Sequence, residues 1–486
     1  MARVLFVYTN INGFHEDTYA FGLANIISVT AQSGHEVRAV IAHTLDEYQK
    51  VYDALEELKP QVVGFSTVSS QFHYVLDLAK AIKRLDPNVI NVCGGVHPTI
   101  YPQCITETEA LDAIFVGEAE EAFDDFMARV DRGESYLSCD NLAYSDNGRL
   151  VRNKQKPLVK DLDALPFPDR VHYPYLETIQ HAGYAPFFFS RGCPFKCTYC
   201  SNHALARAKG ELVSSLRYRS PKSCVQEIEE TLDMYPSTGR IGIVDDIFGL
   251  NKKWRNEFLE HYKERIWEKR GVKFFCLLRA DVVAGKHGDK LDFVAKLKES
   301  GCAGISFGVE SGNEYIRNEV MGRGMSQETL VQAFKLTHEN GLYTNALNII
   351  GVPGETDEMI WDTIKLNRKI KPLISSCNIF YPYKGTNLGD YCFDNGLVDL
   401  EKFNRFSNER RETTLNYSPE KRARLTWYHD NWEILVYPYS VKKRLHKLIG
   451  KTVLWRSLRR AKSLATRAVR VGSMSRRRGV KMPSKL

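Results

Sequence analysis

The chain has 486 residues, 43% hydrophobic and 26% charged, a length that accommodates two or three domains with their own cores. No run of eighteen apolar residues occurs, and MARVLFVYTN runs straight into a strand-like segment, so neither a membrane span nor a signal peptide is expected and the location reads as cytoplasmic. The net charge of +8 is unevenly placed: residues 441–486 hold 16 Lys or Arg and no Asp or Glu, which leaves −8 on the first 440 residues.

Residues 1–135 alternate short apolar runs with helical patterns. Strands are predicted at Val4–Tyr8, Val37–Ala42, Val62–Thr67, Val89–Gly94 and Ala113–Gly117, and helices around 20–33, 46–58, 71–85, 98–111 and 119–131. This pattern predicts an α/β, doubly wound, flavodoxin-like domain with ligands at the carboxyl ends of its strands. Two such ends are VVGFSTVSS and VCGGVHP, where hydroxyls and the Gly94-Gly95 pair permit close approach of a ligand or simply make a tight turn. Residues 136–180 read as a linker, with a small hairpin in CDNLAYSDNGRLVRN and two prolines in DLDALPFPDR.

A second alternation occupies 181–396. Strands are predicted at Ala185–Ser190, Ile241–Asp245, Phe274–Leu278, Gly304–Val309, Thr344–Ile350 and Ser375–Phe380, separated by helices at 221–235, 252–268, 288–300, 312–320, 325–340 and 356–370. Six βα units predict a partial (β/α)6 barrel with its chemistry at the strand C-termini. Residues 397–486 read as a helical C-terminal region with a basic tail.

SRGCPFKCTYCSNH, residues 190–203, follows the first strand of this barrel and so lies on its functional face. Thiolates at Cys193, Cys197 and Cys200 select zinc, copper(I) or an iron–sulfur cluster. His203 could complete a Cys3His zinc site; alternatively, three cysteines hold three irons of a cubane and leave the fourth open. The Cys-x-x-x-Cys-x-x-Cys pattern, with Tyr199 before the last cysteine, resembles the radical S-adenosylmethionine (SAM) enzymes. GIVDDIFGLN, FFCLLRADVV, SFGVESG, NIIGVPGET and FYPYKGTNL follow in order, and the set is similar to the members that carry an N-terminal cobalamin-binding domain, the class B methyltransferase-like group.

The resemblance implies roles. Cys193, Cys197 and Cys200 would bind a 4Fe–4S cluster whose open iron chelates SAM, and reduction would cleave SAM to methionine and a 5′-deoxyadenosyl radical. Tyr199 would lie against the adenine, Asp245 and Asp246 near the methionine ammonium, Arg279 by the methionine carboxylate or the substrate, and Glu310 on the ribose, with Gly351 and Gly354 bringing backbone to the adenine. Helix capping is the alternative for one of the two aspartates, a rim ion pair for Arg279, and a tight turn for the glycines. In the first domain Ser66, Ser70, Gly94, Gly95, His97, Gly117 and Glu118 would border cobalamin. The Asp-x-His-x-x-Gly cobalt-ligand motif is replaced by TNINGFHEDTYAFG, which retains His15 and Asp17 without the pattern.

The implied reaction is methylation of an unactivated carbon or phosphorus centre, with radical cyclisation, oxidation or rearrangement as the alternative and a cobalamin-dependent sensor as the reading outside enzymology. No catalytic acid or base is assigned. A small-molecule or lipid substrate and a flavodoxin- or ferredoxin-type one-electron reductant are the expected partners. SVKKRLHKLIGKTVLWRSLRRAKSLATRAV spaces Leu445, Leu448, Trp455 and Leu458 almost helically among basic residues. It is a candidate for peripheral contact with an anionic membrane surface, against a packed helix followed by a disordered arm; nucleic acid is the less favoured partner.

Overall fold

The computed structural model describes residues 1–11, 19–210, 215–285, 291–405 and 409–440. Two compact units are defined, Met1–His429 and Asp430–Leu486. All three sheets, two large and one two-stranded, belong to the first.

The first sheet is built from β1 (Arg3–Thr9), β2 (Glu36–Ala42), β3 (Val62–Ser66), β4 (Ile90–Gly94) and β5 (Ala113–Phe115), parallel in the order 2-1-3-4-5. RVLFVYT is buried from its second residue onward because β1 is central and covered on both faces. The helices α1 (Phe21–Gln32), α2 (Tyr48–Leu58), α3 (Phe72–Leu85), α4 (Val96–Ile100) and α5 (Glu120–Arg132) provide the cover. The helix predicted at 98–111 is cut short: Pro102 excludes a helical conformation at Tyr101, whose φ is −136°, and a 3₁₀ segment follows over Pro102–Glu107.

The hairpin assigned to the linker extends the first sheet instead. β6 (Leu142–Asp146) pairs antiparallel with β5, and β7 (Arg149–Arg152) forms the edge. Asn147 and Gly148 both have positive φ, 49° and 78°, the two-residue turn that matches strand twist. The linker proper then locks onto both halves. Arg170 of LPFPDR is buried, lies 2.5 Å from Glu227 and packs over Tyr175 and Phe187, while the Asp169 carboxylate accepts three successive backbone N–H groups, Val171 to Tyr173.

After α6 (Tyr175–Ala182) the second sheet begins with β8 (Ala185–Phe187). It continues through β11 (Arg240–Ile243), β12 (Lys273–Leu278), β13 (Cys302–Glu310), β14 (Tyr343–Ile350) and β15 (Ile374–Ile379), all parallel in chain order, with β8 and β15 as its edges. The single strand predicted over Ala185–Ser190 divides. β9 (Ser190–Arg191) turns away to pair with β10 (Arg217–Tyr218), and α7 (Ser201–Ala208) lies between them. One continuous apolar core, from Val4 and Phe6 to Phe274 and Phe307, runs through both sheets. All eleven cysteines are free thiols. Among the described residues no helix is long and apolar enough to cross a membrane.

Candidate active site

The cysteine loop joins β9 to α7. Gly192 opens it with φ +98°, and Cys200 closes it as the N-cap of α7. Its middle is tied to the second sheet: Thr198 donates its N–H to Met321 O at 3.1 Å and its hydroxyl to Val320 O at 2.7 Å, and accepts the N–H of Leu388 at 2.9 Å. Val320 ends a π-helical turn, Ile316–Val320, a distortion often found at functional sites.

Cys197 is buried, and Cys193 and Cys200 are half-buried. Burial pushes the thiols of Cys193 and Cys200 up, to about 11 and about 12, and the neighbouring sulfurs add to the shift. Three soft donors share one enclosed electrostatic environment, and the protons they hold are the ones a cluster displaces. The donor set fits an iron–sulfur cluster. His203, the fourth ligand of the zinc alternative, is buried in the first turn of α7.

Asp245 is turned back toward β8. Its carboxylate accepts the N–H of Phe189 at 3.1 Å and the hydroxyl of Ser190, replacing the ladder where the strand peels away. Burial raises it to about 7 against those hydrogen bonds. Asp246 is exposed and lines the cavity between the sheets; desolvation raises its carboxyl to about 6 against a hydrogen bond with Asn202. Neither aspartate caps the following helix; Asn251 does, accepting the N–H of Trp254 at 3.1 Å. Of the two, Asp246 is the one that lines the cavity.

Arg279 is buried against the cysteine loop. Its guanidinium stacks 3.6 Å over Phe195, pairs with Asp281 at 2.8 Å, donates to Arg323 O at 2.9 Å and reaches the sulfur of Cys197 at 3.8 Å. Glu310 ends β13 at a register shift with φ +63°, a strained conformation of the kind concentrated at functional sites. It meets Tyr199 through Arg323, which donates to the Tyr199 hydroxyl at 3.0 Å and lies 3.3 Å from the Glu310 carboxylate. Burial raises Glu310, and Arg323 opposes the shift. Arg323 was not singled out by sequence reasoning; the visible signal is its place between Gly322 and Gly324, both at positive φ.

Gly351 and Gly354 have φ +79° and +80°. Gly351 gives its N–H to the buried Glu355 carboxylate, which burial raises to about 8, and a Cβ there would meet Leu425 at 3.1 Å. Gly354 faces open space.

A cavity of about 460 Å³ opens between the two sheets. Ser66, Gly94, Gly95, Gly117 and Glu118 line it at the carboxyl edge of the first sheet; Gly192 from the start of the cysteine loop, Ser201 and Asn202 from the first turn of α7, and Asp246 after β11 line it opposite. Gly95 requires its lack of side chain: φ is +102°, and a Cβ would lie 2.7 Å from Thr67 O. Deeper in, Phe6, Leu23, Ile26, Phe115 and Phe123 make an apolar slot between the sheet and α1. A glycine-edged mouth over an aromatic slot fits a broad macrocycle with an apolar appendage.

Two of the residues expected to border that ligand, Ser70 and His97, are not among those that line the cavity. Ser70 donates its hydroxyl to the buried Glu409. His97 lies with Nδ1 3.0 Å from Ser69 Oγ and its ring 4.4 Å from that of Phe72, and burial lowers it to about 3. His15 and Asp17 lie outside the described residues.

The B12-binding domain family matches residues 9–127, and the radical SAM superfamily matches residues 187–366. An uncharacterized methyltransferase of Pyrococcus horikoshii is 29% identical over 386 residues, covering 78% of this chain and 79% of its own. The anaerobic magnesium-protoporphyrin IX monomethyl ester cyclase of Rubrivivax gelatinosus is 26% identical over 422 residues, covering 83% and 72%. Among solved structures, the radical SAM methyltransferase TsrM from Kitasatospora setae superimposes with TM-score 0.65 at 15% identity, over 81% of this chain and 76% of that one.

The chain therefore combines a B12-binding domain with a radical SAM domain, and it is similar to cobalamin-dependent radical SAM methyltransferases. Its cofactors are a 4Fe–4S cluster, SAM and cobalamin.

Proposed function

We propose that the protein methylates an unactivated carbon or phosphorus centre of a small molecule, using SAM both as methyl donor and as radical source. The observation that carries this reading is the cavity: one wall is the carboxyl edge of the B12-binding domain's sheet, and the other is Asp246 with the two flanks of the cysteine loop, Gly192 and the first turn of α7. When bound, the cluster supplies one-electron reduction of the SAM sulfonium and cobalamin supplies methyl-carrier chemistry.

The chain's own residues bind and orient. Cys193, Cys197 and Cys200 would hold the cluster, with Arg279 against the sulfur of Cys197. Asp246 would take the methionine ammonium, which favours its charged form. Tyr199, Glu310 and Arg323, already hydrogen-bonded together, would present one polar face to the nucleoside. Gly94, Gly95, Gly117 and Ser66 would hold the corrin edge at the cavity mouth. The surrounding apolar core excludes water from the reacting centre.

The test is anaerobic incubation of cluster-loaded protein with hydroxocobalamin, a reductant and SAM. Formation of S-adenosylhomocysteine together with 5′-deoxyadenosine is expected. 5′-Deoxyadenosine alone, with no S-adenosylhomocysteine, would favour radical chemistry without methyl transfer, the class to which a cyclase belongs.

Residues 441–486 lie outside the described residues; their charge supports contact with an anionic membrane surface and a lipid-side substrate. Deleting them should abolish sedimentation with anionic vesicles, and unchanged sedimentation would sink that idea.

A further inference from the structure

One carboxylate of the first domain grips both ends of the cysteine loop. Glu118 stands in the turn between β5 and α5, beside Gly117, on the cavity wall. Arg191, two residues ahead of Cys193, brings its guanidinium within 3.2 Å of Glu118. Lys209 follows α7, the helix that Cys200 caps, and its ammonium lies 3.1 Å from the same carboxylate. Arg217, paired with Arg191 across β9 and β10, donates to both oxygens, one of them at 3.0 Å. Arg191 is held a second time by Glu120 at 2.6 Å.

These groups are largely shielded: the side chains of Glu118, Lys209, Arg217 and Arg191 are 16%, 14%, 10% and 18% exposed. Screening by salt is weak there, and removing the central partner leaves Lys209 and Arg217 without that carboxylate beside an Arg191 that retains Glu120. The segments flanking the loop that carries the cluster ligands are thus docked onto the cavity wall by Glu118, which meets three cations, with Glu120 holding Arg191 beside it.

We infer that Glu118 is a positioning residue that couples cobalamin binding to cluster binding. The inference rests on the cobalamin reading of the cavity. Cluster assembly fixes the cysteine loop, and a fixed loop keeps Arg191, Lys209 and Arg217 on Glu118, which completes the cavity wall. By linkage, an occupied cavity must favour the clustered loop by the same factor. A purely structural role for Glu118 would change stability without making one ligand sense the other.

The experiment is equilibrium binding of hydroxocobalamin to the full-length protein, with the cluster assembled and without iron, for wild type, Glu118→Gln and Lys209→Met. Wild type should bind more tightly with the cluster in place, by about tenfold. Glu118→Gln should bind equally in both states, and Lys209→Met, which frees only the trailing end of the loop, should show a reduced ratio. Circular dichroism and iron content report whether each variant is folded and loaded. A wild-type ratio in either folded, fully loaded variant overturns the inference, so it stands or falls on Lys209→Met if Glu118→Gln does not fold. Corrin retained by wild type with equal affinity in both states overturns the coupling alone. Wild type that retains no corrin overturns the cobalamin reading and the coupling with it.

Discussion

Arg279 divides its donors among Asp281, the carbonyl of Arg323 and the sulfur of Cys197, with its flat face on Phe195. A side chain bound on every side is poorly placed to reach out to a methionine carboxylate and well placed to tune the sulfur it touches. Positive charge and N–H donation to a cluster sulfur favour the reduced cluster, which carries one more negative charge. Replacing Arg279 by Met should therefore move the cluster midpoint to more negative potential by roughly 60 mV, a tenfold change for a one-electron couple. Redox titration followed by EPR measures this in the absence of substrate and cobalamin. An unmoved midpoint with collapsed SAM affinity would instead assign Arg279 to the methionine carboxylate. Asp245 makes a related point about direction. Its position in the chain suggested a ligand contact, but burial and the Phe189 N–H turn it inward, and its neighbour Asp246 takes the exposed position.

At the scale of elements, periodicity and turn chemistry made both alternations of strand and helix legible, along with the place of the cysteine loop after the first strand of the second sheet; the 2-1-3-4-5 order came from the fold. Misplaced boundaries fall where a particular interaction overrides the pattern. Pro102 stops the helix predicted through 111, and Asp245 draws Phe189 and Ser190 out of β8. The hairpin at 142–152 was recognised by its Asn-Gly turn, but nothing local tells which sheet it joins; pairing of Ile114 with Ala143 decides that. The same limit explains the site. Three cysteines within eight residues are visible as a motif. Arg323 lies 124 residues from Tyr199, and Lys209 lies 91 from Glu118, so only the folded chain brings those charges together. Ser70 and His97 have the opposite history: they occupy motif positions, yet the Ser70 hydroxyl goes to Glu409 and His97 Nδ1 to Ser69.

Across the whole molecule the Glu118 network is also a pH-sensitive joint between the two sheets. Burial alone would raise this carboxyl, but hydrogen bonding from Arg217 and the charges of Arg191 and Lys209 hold it at about 2, against an ordinary value of 4.5. A lowered carboxyl contributes stability that is complete above the unfolded-state value and is lost as pH falls through the folded one. The window here runs from about 5 down to 2, and the contribution is about 3 kcal/mol at neutral pH. The buried Asp245 and Glu355 act with opposite sign. Raised to about 7 and about 8, they contribute most below the ordinary carboxylate range and lose that contribution as pH rises through those values. The total stability profile is therefore the balance of two slopes, and no single curve isolates Glu118. The difference between wild type and Glu118→Gln does, because the other carboxylates cancel. Urea unfolding of the cofactor-free pair should show the variant less stable by up to about 3 kcal/mol at pH 7, with the gap roughly halved by pH 3. A gap that stays constant over that range would mean that Glu118 contributes by packing, and that the charges around it do not join the two halves of the molecule.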